Sequence, residues 1–243
     1  MLVGVASLVV TGGALGVVGG SPDTAHPYVA GAFTAHELCS GSLVSAKLVV
    51  TAAHCFSNGA TVQVTFGQVT HPGGEFTTTS PSYTGTVTND PAFCFTCGPG
   101  LPLADTGDVA VIELDGTGAP QPDNRYAQLP PLSLVDTLPN NQTVDVVGYG
   151  ISSITAATVT AFGTRQVATT RLVAAGTLGS EFLKLLADPG VCLGDSGGPD
   201  LLAGTDVMLA ENSFASNGPN CNGVTYSERL DTPAAQNFIK SFH

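Results

Sequence analysis

The chain has 243 residues, of which 43% are hydrophobic, with 30 Gly, 16 Pro and no Trp. Acidic side chains outnumber basic ones 19 to 7, for a formal net charge of −12, and no cluster of Lys or Arg provides the basic footprint that a nucleic-acid partner requires. The acidity serves solubility, or draws cationic peptides to the surface. The length suits one large or two small domains, and the abundance of Gly, Pro, Thr and Val points to short strands and many turns.

In chain order, Leu2 to Val10 is a short apolar run, followed by the small residues Ala14 and Gly16, two apart as a signal-peptide cleavage site requires. No Lys or Arg precedes the run, and it is too short and glycine-interrupted to read as a membrane span. A signal peptide over 1–16 and secretion follow as expectations, with no membrane contact after processing. Six cysteines are an even count, which suits an oxidising compartment.

Val17-Val18-Gly19-Gly20 leads into a turn-rich segment, Ser21 to Pro27. Tyr28 to Phe33, Cys39 to Val44 and Leu48 to Thr51 read as strands, closed by Thr51-Ala52-Ala53-His54-Cys55. Thr61 to Phe66 alternates apolar and polar side chains, as a half-buried strand does. Residues 70–104 read as long loops around one or two strands and include Cys94 and Cys97. Asp108 to Leu114 is a strand opening on a carboxylate, and the proline-rich segment from Gly116 to Pro131 reads as a linker.

The second half restarts at Val144 to Gly150, and Ser152 to Arg171 reads as strand and loop. Glu181 to Ala187 is open between helix and strand. Val207 to Phe214 and Val224 to Leu230 read as closing strands. Thr232-Pro233 is an N-cap and N1 pair, and Ala234, Ala235, Phe238, Ile239 and Phe242 then recur at helical spacing, predicting a terminal amphipathic helix.

The chemistry centres on Gly194-Asp195-Ser196-Gly197-Gly198-Pro199. Flanking glycines let two backbone N–H groups point into one concavity, the geometry of an oxyanion hole; a plain glycine-rich turn is the bland alternative. Serine needs a base within reach, and the base needs a group to hold its tautomer. Of His26, His36, His54, His71 and His243, only His54 sits in a short rigid setting, between a strand end and a cysteine. Asp108 is the candidate orienting carboxylate, with Asp105 and Asp115 as decoys. The hexapeptide also satisfies the G-x-S-x-G elbow of α/β-hydrolases, but that class places its acid and histidine after the serine, and Pro199 opposes the helix an elbow requires. The order His54, Asp108, Ser196 is instead that of chymotrypsin-type proteases.

Four motifs, Val17 to Gly20, Thr51 to Cys55, Asp108 to Val111 and Gly194 to Pro199, thus make the chain resemble a secreted bacterial serine protease of the trypsin/chymotrypsin family over nearly its whole length. The resemblance implies an all-β protein of two antiparallel Greek-key β-barrels with a C-terminal helix. The first barrel and linker, 17–131, would carry His54 and Asp108; the second, 132–243, would carry Ser196 and the helix. It implies a serine endopeptidase, monomeric, acting on peptide or protein substrates and needing no cofactor or metal. Ser196 would be the nucleophile, His54 the general base, Asp108 its orienter, and the Gly194 and Ser196 N–H groups the oxyanion hole. Cys39 would pair with Cys55 and Cys192 with Cys221, each adding roughly 3 kcal/mol by constraining the unfolded chain. Ser213, Phe214 and Ala215 match the strand that holds substrate. A freed amine on Val17 would pair with Asp195.

The sequence departs from the family in places. Gly190 stands at the base of the primary pocket where trypsins carry an aspartate, so cleavage after Lys or Arg is not expected; an uncharged pocket favours apolar or aromatic residues, unless a shifted loop brings Asp188 inward. Glu211 interrupts an apolar strand and needs a partner. Cys94-Phe95-Thr96-Cys97 has no family counterpart: zinc would need two more ligands, with only His71 nearby, and a loop disulfide is the better reading. Glu75 alone does not make a calcium site. The rival function is a silent protease homologue serving as a binding module, although such homologues usually lack a triad residue.

Overall fold

The computed structural model describes residues 17–98, 105–151, 153–155, 158–173, 182–186, 190–216, 221 and 223–242. The signal peptide expected over 1–16, Asp188 and His243 lie outside the described residues.

Ser21–Pro22 (β1) does not pair with its sequence neighbours; it lies antiparallel to Gln166 and Val167, far along the chain. Six strands follow: Val29–Phe33 (β2), Leu38–Ser45 (β3), Leu48–Thr51 (β4), Thr61–Thr65 (β5), Ser82–Asn89 (β6) and Ala110–Leu114 (β7). They close into a barrel in the order β2-β3-β4-β7-β6-β5, with Gly31 to Phe33 pairing with Gln63 to Thr65 at the seam. Closure removes free edges that could template aggregation. The period-two pattern is visible in β5, where Val62 and Val64 are buried and Gln63 is only half-buried.

The second sheet is built from Thr143–Gly148 (β8), Gln166–Arg171, Phe182–Leu185, Pro199–Leu202, Met208–Ala215 and Thr225–Arg229. Ser153–Thr155 (β9) and Thr158–Ala161 (β10) form a separate hairpin between the first two of these. The others are β11 to β15 in chain order, and the sheet runs β1-β11-β8-β13-β14-β15-β12. It curls until the β12 edge meets the end of β11: Leu172 bridges Leu185, and the Val173 N–H donates to the Lys184 carbonyl at 2.8 Å. The undecided Glu181 to Ala187 segment thus contains a strand, Phe182–Leu185, chosen by its pairing with β15 rather than by any local period.

One apolar core fills the first barrel and runs on through Tyr149, Leu201, Met208 and Leu230 to the terminal helix. A second, around Val144, Leu183, Leu185 and Leu209, fills the other sheet. The short helix Leu134–Thr137 (α1) is tied down by Asp231, whose Oδ2 accepts the Val135 N–H at 2.8 Å. The terminal helix Pro233–Lys240 (α2) starts as its sequence requires: Thr232 Oγ1 accepts the Ala235 N–H at 3.2 Å, Pro233 follows the cap, and Ala235 and Ile239 are buried. Disulfides join Cys39 to Cys55, Cys94 to Cys97 and Cys192 to Cys221. Among the described residues no helix is long and apolar enough to cross a membrane.

Candidate active site

Strand register brings the first two candidate residues together. β4 and β7 are antiparallel with Thr51 opposite Ala110, so the residues just after β4 and just before β7 emerge at the same end. His54 lies in the 3-10 turn Ala53–Cys55, and Asp108 lies two residues ahead of β7. Asp108 is fully buried; its Oδ1 accepts the His54 backbone N–H at 2.8 Å and its Oδ2 faces His54 Nδ1 at 2.8 Å. The Ser213 hydroxyl also donates to Oδ2. Three donors compensate the burial of this carboxylate. With Nδ1–H given to Asp108, the imidazole keeps a free lone pair on Nε2.

The segment bearing Ser196 is a backbone-determined turn. Gly194 has φ +94° and Gly197 φ +78°, values that a side chain disfavours, and at both positions a Cβ would collide with neighbouring backbone. The Ser40 hydroxyl donates to the Gly194 carbonyl at 2.8 Å and accepts the Tyr149 N–H at 2.9 Å, fixing the peptide plane that follows Gly194. Among the described residues neither the Gly194 nor the Ser196 N–H is spent on a protein acceptor. The Ser196 carbonyl accepts the Ser40 N–H at 2.8 Å and lies 3.8 Å from Cys55 Sγ, which docks the serine turn on β3 beside the residue that follows His54. Ser196 Oγ and His54 make no hydrogen bond to each other; bonds of this kind are often long before substrate binds and tighten in the complex.

Asp195 points away from the cleft. It is fully buried, its oxygens accept the Gly150 and Cys192 N–H groups at 2.8 and 2.9 Å, and burial pushes its pKa up to about 7 against the pull of those two donors. Val17 is also fully buried, in the apolar cluster that contains Val191. The next residue, Val18, donates to the Gly190 carbonyl at 3.0 Å.

A cavity of about 60 Å³ beside Ser196 is lined by Val191, Cys192, Leu193, Asn212, Ser213 and Ala215, none of them charged. Gly190 is not among these lining residues. Phe214 turns aside and stacks on Tyr226, ring centroids 4.8 Å apart and nearly parallel. Across Leu193 and Gly194 lies a wider cavity of about 420 Å³, lined by His36, Leu38, His71, Phe76, Ile151 and Phe162. His71 stacks on Phe76 there at 4.3 Å, and Cys94 and Cys97 are bonded to each other, so these three residues form no zinc set. Among the described residues no group of His, Cys, Asp or Glu side chains is arranged to hold a metal.

Buried carboxyls surround this site. Glu211 is fully buried with neither oxygen hydrogen-bonded; the nearby Gly197 N–H serves the Asn212 carbonyl instead. Burial, reinforced by the neighbouring carboxyls of Asp108, Glu228 and Asp200, holds its pKa well above the carboxylate range. Burial likewise raises Asp200 to about 7 and Glu228 to about 9. The sequence flags Glu211 alone among these. Asn212, Leu193 and the Ser40 hydroxyl carry no spacing signal that would have marked them.

The family model described as Trypsin matches residues 17–228. The chain is 30% identical over 115 residues to chymotrypsin-like elastase family member 3B of Macaca mulatta, covering 47% of this chain and 42% of that protein. It is 32% identical over 126 residues to proproteinase E of Bos taurus, covering 49% and 44%. The match thus spans less than half the length of these curated relatives. A solved structure of HL collagenase superposes with a TM-score of 0.70 at 21% identity, over 93% of this chain and 98% of that one, which shows a common fold.

Proposed function

The chain belongs to the trypsin family, and on that premise we propose that it is a secreted serine endopeptidase that acylates Ser196 and hydrolyses the acyl-enzyme. The observation that carries this reading is the doubly bonded His54–Asp108 pair, 2.8 Å at both contacts, joined through the Ser213 hydroxyl on Asp108 to the cavity that Ser213 shares with Ser196, where the Gly194 and Ser196 N–H groups are unspent among the described residues. His54 Nε2 takes the proton of Ser196 Oγ as that oxygen attacks the scissile carbonyl carbon. Asp108 holds the ring and stabilises the imidazolium. The Gly194 and Ser196 N–H groups receive the oxyanion, a pair of contacts each worth roughly two to three powers of ten in rate. His54 then passes its proton to the leaving amine, and water repeats the sequence to free Ser196.

The cavity of about 60 Å³ beside Ser196 suits a small uncharged side chain before the cleaved bond, with Ser213 to Ala215 alongside the substrate backbone. The apolar cavity beyond Leu193 suits the leaving side of the peptide. A freed Val17 amine would give buried Asp195 a counter-charge and hold it ionised. Three disulfides fit an oxidising, extracellular setting.

A sulfonyl fluoride or organophosphonate tests the reading, because only an activated serine reacts. Wild type should take one label on Ser196 and hydrolyse casein. Replacing Ser196 or His54 by Ala should lower turnover by about a million-fold. A wild-type protein that neither labels nor cleaves would be a binding homologue instead.

A further inference from the structure

We propose that the Cys94–Cys97 disulfide holds Phe95 against the His54 ring as a positioning residue, so that the oxidation state of this one bridge sets the reactivity of Ser196. The inference rests on the endopeptidase reading above.

The Phe95 and His54 ring centroids are 5.4 Å apart with planes 32° from parallel, and Phe93 meets Phe95 edge-on at 5.1 Å. Asp108 fixes one edge of the imidazole, but the His54 side chain is still 24% exposed, and Phe95 covers one of its faces. An aromatic face beside an imidazole favours the cation formed when Nε2 takes a proton, and it keeps water off the ring. It also opposes rotation of the ring out of the cleft.

Among the described residues, Phe95 is held by the bridge, by the edge-on contact with Phe93 and by the hydrogen bonds of the loop's entry side. The loop is anchored on its entry side, where Asp90 accepts the Ala92 and Phe93 N–H groups and the Cys94 N–H donates to Thr106 at 2.8 Å. Thr96 and Cys97, on the other side of Phe95, are exposed. A bridge between cysteines only three residues apart removes little entropy from the unfolded chain. Its effect is local, and Phe95 lies within the loop it closes.

The bridge is also the accessible one. Cys97 is exposed, whereas Cys39, Cys55, Cys192 and Cys221 are all buried, and exchange requires a thiolate to reach a sulfur. A dithiol reductant would supply two electrons and two protons, becoming a cyclic disulfide as Cys94 and Cys97 become thiols. Reoxidation reverses the step. In the reduced form Phe95 is free to leave His54.

The test is the rate at which phenylmethanesulfonyl fluoride inactivates the processed protein, since this small reagent needs His54 but few substrate contacts. Phe95→Ala and the double variant Cys94→Ser/Cys97→Ser should label roughly tenfold more slowly, with the loss for a peptide substrate falling on kcat more than on KM. Phe95→Tyr should restore the rate. Low dithiothreitol should slow wild type to the rate of the double variant, reversibly, and leave the double variant unchanged; this arm reads the unaltered chain even if a variant folds poorly. Variants and reduced protein labelling at the wild-type rate, or a change in KM alone, would overturn the inference while leaving the endopeptidase reading intact. A wild type that takes no label overturns both.

Discussion

Glu228, on a strand of the second sheet, accepts the Thr106 hydroxyl at 2.9 Å, and Thr106 lies two residues before Asp108 in the first barrel's last approach. Both side chains are buried. Burial, opposed by the Thr106 hydrogen bond, raises the Glu228 pKa to about 9, so at neutral pH it is an uncharged acid close to the Asp108 carboxylate. Glu228→Ala should lower kcat/KM by about tenfold or more through loss of a buried hydrogen bond at the segment that sets Asp108. Glu228→Gln, neutral and of the same shape, should keep activity at pH 7. Wild type should lose activity as pH rises through about 9, where Glu228 ionises beside Asp108, and the Gln variant should lack that step. Matching pH profiles for wild type and Gln variant would argue against the role.

Asp200 and Glu211 make the fold favour mild acid. Burial raises both above their unfolded values, Asp200 to about 7. A raised carboxyl binds more protons folded than unfolded, so its stability is fully present below about pH 4 and is lost as pH rises through the folded pKa. For Asp200 alone the span from 3.8 to about 7 corresponds to roughly 4 kcal/mol. Urea midpoints should be higher at pH 5 than at pH 8, and Asp200→Asn or Glu211→Gln should flatten the difference. A midpoint that rises from pH 5 to 8 would contradict the assignment.

The mature protein should begin at Val17. N-terminal sequencing of secreted material checks this directly, and a start elsewhere counts against the amine–Asp195 pair. A form with an extra residue before Val17 should titrate fewer active sites, and Asp195→Asn should do likewise. The pair should survive at neutral pH and fail well into the alkaline range, because pairing raises an amine that titrates near 8 when free.

A peptide-library profile should show Ala or Val preferred before the cut over Phe and Arg by at least about tenfold, since the cavity of about 60 Å³ is small and has no charged side chain among its described lining residues. Preference for Arg would place a carboxylate in the pocket and sink this reading.

The four motifs were legible because each is a short run of residues with unusual local demands: glycines at positive φ, a histidine against a cysteine, a carboxylate at a strand head. The terminal helix was legible from its Thr232-Pro233 start. The four residues of Phe182–Leu185 were not, because their strand state comes from partners on β15 that no local pattern names. Glu211 stands out in the sequence as a buried acid wanting a partner, and the fold leaves its oxygens without a hydrogen bond, with burial holding its pKa well above the carboxylate range. Glu228, and the contact of Phe95 with His54, are not legible for a related reason. Each matters through a neighbour far off in sequence, brought close only by the folded chain.

The covalent map of the molecule has a consequence for its own turnover. Cys39–Cys55 and Cys94–Cys97 both lie before the crossing from Gly116 to Pro131, and Cys192–Cys221 lies after it. A single cut in that crossing therefore leaves two polypeptides with no covalent bond between them, held together by side-chain packing, the β1 ribbon and hydrogen bonds such as those from Ser40 to the Ser196 carbonyl and from Thr106 to Glu228. A nicked molecule would stay whole in gentle buffer, yet come apart in detergent without any reductant.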